Sequence, residues 1–171
     1  IRNYCDTLIT EQAMVGGSLS LGDAINESSI RSSTISWVKE TPESRWFYDK
    51  LAWIGRMLNS QYLGFNLTGF NEDMQYTVYD SSQKGHYTWH NDLTTQSDLA
   101  PRKLSLVLQL SDPSEYEGGD FQTMMSREIN TAPKEKGFVM AFPSWTLHRV
   151  TPVTSGIRKT LVVWVTGPQF R

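Results

Sequence analysis

The sequence holds a single cysteine, Cys5, in 171 residues. No internal disulfide can form. A disulfide-stapled secreted scaffold and a thiolate-rich zinc site are both out of reach, and a cytoplasmic setting is the expectation. Histidine is nearly as scarce, with only His86, His90 and His148. Neither sign of charge dominates: 16 basic residues face 18 acidic ones, a net charge of −2. A chain built to grip phosphate backbones carries a basic surplus, so no nucleic-acid partner is expected. No apolar run approaches the ~18–20 residues of a membrane span, and no charged start leads into an apolar stretch as in a signal peptide. No membrane partner is expected. Repeats and long low-complexity segments are absent as well.

What the chain does have is aromatic content, with six tryptophans and 12% aromatic residues. That suffices for a packed core or an aromatic-lined cleft. The length suits one domain over 1–171, with a helical support in 1–64 and a β core in 65–171. One helix is predicted from near Thr41, which can cap it, with Pro42 and Glu43 in its first turn. Phe47, Leu51, Ile54 and Leu58 then form one apolar stripe, and Gly64 is a suitable stop. A shorter helix is predicted from about Asp6 to Met14. The Ser- and Gly-rich stretch from Gly16 to Ser36 reads as a surface loop.

Beyond Gly64 the texture changes to short β-rich runs between turn signals. The runs are Gln75–Tyr79, His86–His90, Lys103–Leu110, Phe121–Met124, Phe138–Phe142, Leu147–Val150 and Lys159–Val165. So many short strands without intervening helices predict a sandwich or jelly roll, with the N-terminal helices packed on one sheet.

Two histidines carry the first chemical signal. His90-Asn91-Asp92 closes a strand-like run, and residues two apart on a strand share a face. The His90 imidazole and the Asp92 carboxylate can therefore converge. His148 opens another strand fifty-six residues later. Two imidazoles and one carboxylate on one face of an octahedron leave three positions free, the arrangement of non-haem iron(II) oxygenases. The competing reading is a strand histidine bonded to Asp92, with His148 an ordinary surface residue. Arg158 lies ten residues after His148, at the opening of a strand. Its planar fork suits a carboxylate, whereas a solvated strand-edge charge is the commoner fate of an arginine.

The stretch from Tyr79 to Trp164 resembles the prolyl 4-hydroxylase-like branch of the 2-oxoglutarate oxygenases, including the PKHD-type hydroxylases. The resemblance rests on Tyr79, on Gly85 to Asp92, on Arg102-Lys103-Leu104-Ser105, and on Gln109 to Asp120. Phe142 to Val153 and Arg158 to Trp164 complete it. It covers about half the chain, in the family's order. It implies a double-stranded β-helix in which His90, Asp92 and His148 bind Fe(II). It further implies that Arg158 pairs with the far carboxylate of 2-oxoglutarate, with neighbouring Lys159 as a fallback, and that Tyr79 and Gln109 border that co-substrate. Arg102, Trp145 and Trp164 are candidate substrate contacts. Asp92 is a true carboxylate, which sets the chain apart from the halogenating relatives.

The implied activity is hydroxylation with O₂ and 2-oxoglutarate, supported by ascorbate. The implied substrate is a protein or peptide, with a prolyl residue the first expectation. A free amino acid or another small molecule is the alternative substrate. A non-catalytic jelly-roll binding module is the alternative of a different class, and a cupin-like metal protein without 2-oxoglutarate is a further one.

Overall fold

Side-chain parity along three adjacent strands decides where polar groups are buried. The strands are β4 (Met74–Asp80), β6 (Arg102–Gln109) and β12 (Val153–Thr166). Met74, Tyr76, Leu104, Leu106, Leu108, Leu161, Val163 and Val165 point to one face and join one buried cluster. The alternate positions Gln75, Thr77, Ser105, Gln109, Arg158 and Thr160 are buried too, on the opposite face. A sheet with an apolar outer face and a polar buried inner one is built to enclose a site.

The computed structural model describes residues 1–13, 28–93 and 100–169. The described strands form two antiparallel sheets. The larger also contains β1 (Glu11–Gln12), β3 (Thr34–Val38) and β10 (Val139–Pro143), in the order β1-β3-β4-β12-β6-β10, with β7 (Tyr116–Gly118) paired to β12. The smaller contains β2 (Arg31–Ser32), β5 (His86–His90), β8 (Phe121–Met125), β9 (Glu128–Thr131) and β11 (Leu147–Val150), in the order β2-β5-β11-β8-β9. Non-consecutive neighbours in both sheets mark the crossed connections of the predicted double-stranded β-helix. A second cluster, including Tyr79, Val107, Tyr116, Phe121, Phe142 and Val150, draws on both sheets.

After α1 (Arg2–Cys5), the one long helix among the described residues is α2 (Arg45–Leu58). It lays the predicted stripe of Phe47, Leu51, Ile54 and Leu58 on the larger sheet's outer face. It begins later than predicted, because Thr41 to Ser44 close a turn first. The Ser44 hydroxyl accepts from the Thr41 N–H at 2.8 Å and donates to the Lys39 carbonyl at 2.7 Å. One wider turn, Asn59–Leu63, extends the helix to Gly64, whose φ of 68° supplies the left-handed stop. Among the described residues no helix is long and apolar enough to cross a membrane.

Two expectations for the N-terminal third need correction. Asp6 to Ala13 is not a helix: Glu11 and Gln12 pair with β3, and Ala13 donates to the Ser33 carbonyl at 2.9 Å. Met14 lies outside the described residues, as does the 16–27 part of the expected loop. Its remainder contains β2 and β3, which join both sheets. Serine content misled there, because Ser32, Ser33 and Ser36 are buried. Ser32 and Ser36 donate to the carbonyls of Gln83 and Ile9.

Candidate metal centre

Antiparallel pairing of β5 with β11 places His148 directly across from His90. Residues distant in sequence thus become cross-strand neighbours, about 5 Å apart at the backbone. Asp92 lies two residues past His90, and its N–H donates to the Ser144 carbonyl at 2.8 Å. That bond ties the segment after β5 to the end of β10.

The free lone pairs converge. The Nδ1 of His90 lies 2.7 Å from the Thr88 carbonyl, and that of His148 lies 2.9 Å from the Thr146 carbonyl. A carbonyl accepts, so each Nδ1 carries the proton, and in the neutral ring Nε2 keeps its lone pair. The two Nε2 atoms lie 3.9 and 3.6 Å from Asp92 Oδ1. Asp92 Oδ2 is occupied by a hydrogen bond from the Ser105 hydroxyl at 2.7 Å, which leaves Oδ1 for another partner. The three donor atoms lie within 4.8 Å of one another. Bonds of about 2.1 Å to an ion place neighbouring octahedral donors about 3 Å apart, so small inward movements bring the three donors to that spacing. Among the described residues no fourth His, Cys or carboxylate joins the cluster. The spare histidine, His86, lies against the carbonyls of Lys84 and Ser29 instead. Cys5 is buried in the helix-side core.

Protonation states suit a cation. Burial, then the neighbouring His148, push the His90 pKa down to about 3, so this ring stays neutral at ordinary pH. Burial opposes ionisation of Asp92, but His148, His90 and the Ser105 hydrogen bond outweigh it and hold the carboxyl below its usual range. The buried Trp164 indole N–H favours the same ionised carboxylate without closing a full hydrogen bond. Ser105→Ala would free Asp92 Oδ2 to rotate. Divalent-metal affinity, read by calorimetric titration, should fall by about 10–100-fold. An unchanged affinity would show that this bond does not orient the ligand.

Aromatic rings close the surroundings. Tyr87 stacks on His90 with centroids 3.4 Å apart and planes 16° apart. Phe142 and Phe121 lie 4.9 and 5.5 Å from the His148 ring. Strand parity alone would put Tyr87 and His90 on opposite faces. A β-bulge between the His148 and Val150 pairings places them on one face.

Arg158 lies on the polar inner face of β12, across from Tyr79 of β4. It is only 2% exposed. Its Nη2 donates to Gln109 Oε1 at 3.1 Å, and the guanidinium lies 5.4 Å from the Tyr79 ring centre. Gln109 in turn donates to the Tyr116 hydroxyl at 2.5 Å. Arg158 Nε is buried with no hydrogen-bond partner, and no carboxylate pairs with the side chain among the described residues. Burial pushes the guanidinium's pKa down, yet arginine remains charged at any working pH. Gly119, at φ 59°, passes so close that a Cβ there would lie 3.0 Å from Arg158 Cδ.

The remaining candidates are placed differently. Lys159 turns away to Asp6, 2.7 Å from its carboxylate. Arg102 is bound bidentately by Glu72 and lies over the Trp164 ring at 3.7 Å. Its guanidinium pairs with Glu72, and Glu115 of the acidic turn at Asp112–Glu117 pairs with Arg2. Trp164 is buried, whereas Trp145 is half exposed, edge-on to Phe65 at 5.3 Å and next to Ser144. Tyr87, Ser105, Tyr116 and Ser144 were not singled out from sequence. The inward parity shared by Ser105 and Gln109 was a usable signal for the first of these.

The 2OG-Fe(II) oxygenase superfamily pattern matches residues 74–166 of this chain. A PKHD-type hydroxylase of Prochlorococcus marinus is 38% identical over 89 residues, 52% of this chain and 40% of that protein. One from Colwellia psychrerythraea is 34% identical over 94 residues, 54% of this chain and 42% of that protein. The matched stretch thus spans about two fifths of these relatives' length. Among solved structures, a Trichoplax adhaerens prolyl hydroxylase, in complex with a hypoxia inducible factor oxygen degradation domain peptide fragment, superposes with a TM-score of 0.74. The match is at 14% identity and covers 96% of this chain and 73% of that one. A Pseudomonas putida prolyl-4-hydroxylase gives 0.67 at 20% identity, over 83% of this chain and 76% of that one. These two likenesses concern the fold.

Proposed function

The chain belongs to the 2OG-Fe(II) oxygenase superfamily, and from that premise we propose that it is a 2-oxoglutarate-dependent hydroxylase whose iron is held by His90, Asp92 and His148. Arg158 takes the far carboxylate of the co-substrate. The observation that carries this reading is Arg158 itself, a buried cation with one orphaned N–H and no ion pair among the described residues, on the larger sheet's inner face, which also carries Ser105, the partner of Asp92. Burying an uncompensated guanidinium is costly. A carboxylate supplies the missing charge and fits the planar fork.

Iron(II) held there, together with 2-oxoglutarate and O₂, supplies the oxidising power for C–H hydroxylation, with succinate and CO₂ as co-products. The protein's own part is positioning. The Thr88 and Thr146 carbonyls fix the two imidazole tautomers, Ser105 orients Asp92, and Gln109 and Tyr79 hold the Arg158 fork. The rings of Tyr87, Phe121 and Phe142 pack against the imidazoles.

A peptidyl substrate, prolyl in the first instance, is supported by the hydroxylase relatives and by the half-exposed Trp145–Phe65 pair beside the site. Aromatic faces suit a pyrrolidine ring and an extended chain. Purified protein given Fe(II), ascorbate and 2-oxoglutarate should form succinate slowly without any substrate, measured by mass spectrometry. Iron-loaded protein that binds 2-oxoglutarate and forms none would be a binding module instead. A mass gain of one oxygen on a proline-bearing peptide would test the substrate.

A further inference from the structure

A second buried arginine lies on the other side of the metal ligands. Arg31, in β2, is paired across the sheet with Tyr87 and is 6% exposed. Its guanidinium lies 4.7 Å from the Tyr87 ring centre. His90 covers one face of that ring at stacking distance, which leaves the other face to the cation. Arg31, Tyr87 and His90 therefore form one continuous stack against the metal site.

Among the described residues the hydrogen-bond partners of Arg31 are neutral. Nε donates to Ser33 Oγ at 2.9 Å and Nη2 to Gln75 Oε1 at 2.8 Å. Gln75 Oε1 also accepts from Thr77 at 3.2 Å. Among the described residues Nη1 makes no hydrogen bond, and no carboxylate pairs with the side chain. Four other cations are matched by acids: Arg2 by Glu115, Arg102 by Glu72, Lys134 by Asp120 and Lys159 by Asp6. Arg31 and Arg158 are both buried, and neither makes an ion pair among the described residues.

The two occupy separate places. Arg31 is held by Gln75 and Arg158 lies at Tyr79, four residues apart on one face of β4, which is roughly 13 Å along a strand. Arg158 already serves the far end of the co-substrate in the function proposed above, and this inference rests on that reading. Among the described residues no acid meets the second cation beyond Tyr87, and a carboxylate of another molecule suits it. We infer that Arg31 is a second carboxylate anchor of this site, binding an acidic group of the primary substrate beside the metal.

The test uses binding rather than turnover. Protein loaded with manganese(II), without O₂, is titrated calorimetrically with 2-oxoglutarate. With 2-oxoglutarate saturating, it is then titrated with L-proline, L-glutamate and N-acetylglycine, each beside its amide. Wild-type protein should take up at least one acid about tenfold or more tightly than its amide. Arg31→Gln should lose that preference, Arg31→Lys should restore part of it, and 2-oxoglutarate affinity should not move in either. A matching loss of 2-oxoglutarate affinity in Arg31→Gln would give the anchor to the co-substrate and overturn the assignment. So would a wild-type protein that prefers none of the acids to its amide. Wild-type protein that takes up manganese but no 2-oxoglutarate would fail the proposed function itself, a separate result. If Arg31→Gln does not fold, the acid–amide comparison in wild type and Arg31→Lys still decides.

Discussion

Replacing His148 by alanine should leave the protein unable to retain a divalent metal through desalting, with turnover lost alongside. The ligand set has three protein donors, and their free atoms point at a common position. Losing an outer partner of such a ligand already weakens metals by about 10–100-fold, so losing the ligand itself should cost at least that. The alanine also opens a space against Phe121 and Phe142, which pack on the ring, so His148→Gln is the companion variant. His86→Ala is the control. That ring faces backbone carbonyls away from the cluster, and its loss should leave metal content unchanged. Metal analysis after gel filtration reads all three, and metal retained by His148→Ala but lost by His86→Ala would mean that the ligand set is wrong. Acid should weaken metal binding as well, because only neutral imidazoles donate. His90 has a pKa held near 3, so it stays available to a metal down to far more acidic conditions than a free histidine.

How much of this was legible beforehand follows from which signals are local. The runs His86–His90 and Leu147–Val150 match β5 and β11 residue for residue, since both are short and bounded by turns. The stripe Phe47-Leu51-Ile54-Leu58 was readable because helical periodicity is a local property. The edge strand β9 was not: all four residues are exposed, so nothing alternates. β2 and β3 were hidden by serines whose burial depends on distant carbonyls. The placement of Tyr87 beside His90 needed a bulge defined by its pairing partner. The partner of Arg102 was hidden for a similar reason, because its acid, Glu72, is thirty residues away and joins it only through the fold. Chemistry carried by spacing along one strand was visible, whereas chemistry carried by pairing between strands waited for the structure.

Arg158→Gln should raise the dissociation constant for 2-oxoglutarate by about 10–100-fold while metal affinity holds. Hydrogen bonds to a charged group contribute about 1.5–3 kcal/mol, and each 1.4 kcal/mol is tenfold. Arg158→Lys should recover part of the loss, since it keeps the charge but not the two-pronged geometry. Stability separates this role from a merely structural one. In the ligand-free protein Arg158 is a buried cation whose Nε has no partner, an arrangement that opposes folding. Glutamine retains a donor toward Gln109 and removes the charge, so the midpoint of thermal unfolding without ligands should stay level or rise. With 2-oxoglutarate and manganese(II) present, wild-type protein should gain stability that the variant does not, in proportion to the logarithm of ligand over its dissociation constant. A variant that unfolds earlier when empty, yet binds 2-oxoglutarate as wild type does, would make Arg158 a brace for Tyr79 and Gln109 and leave the co-substrate without its anchor.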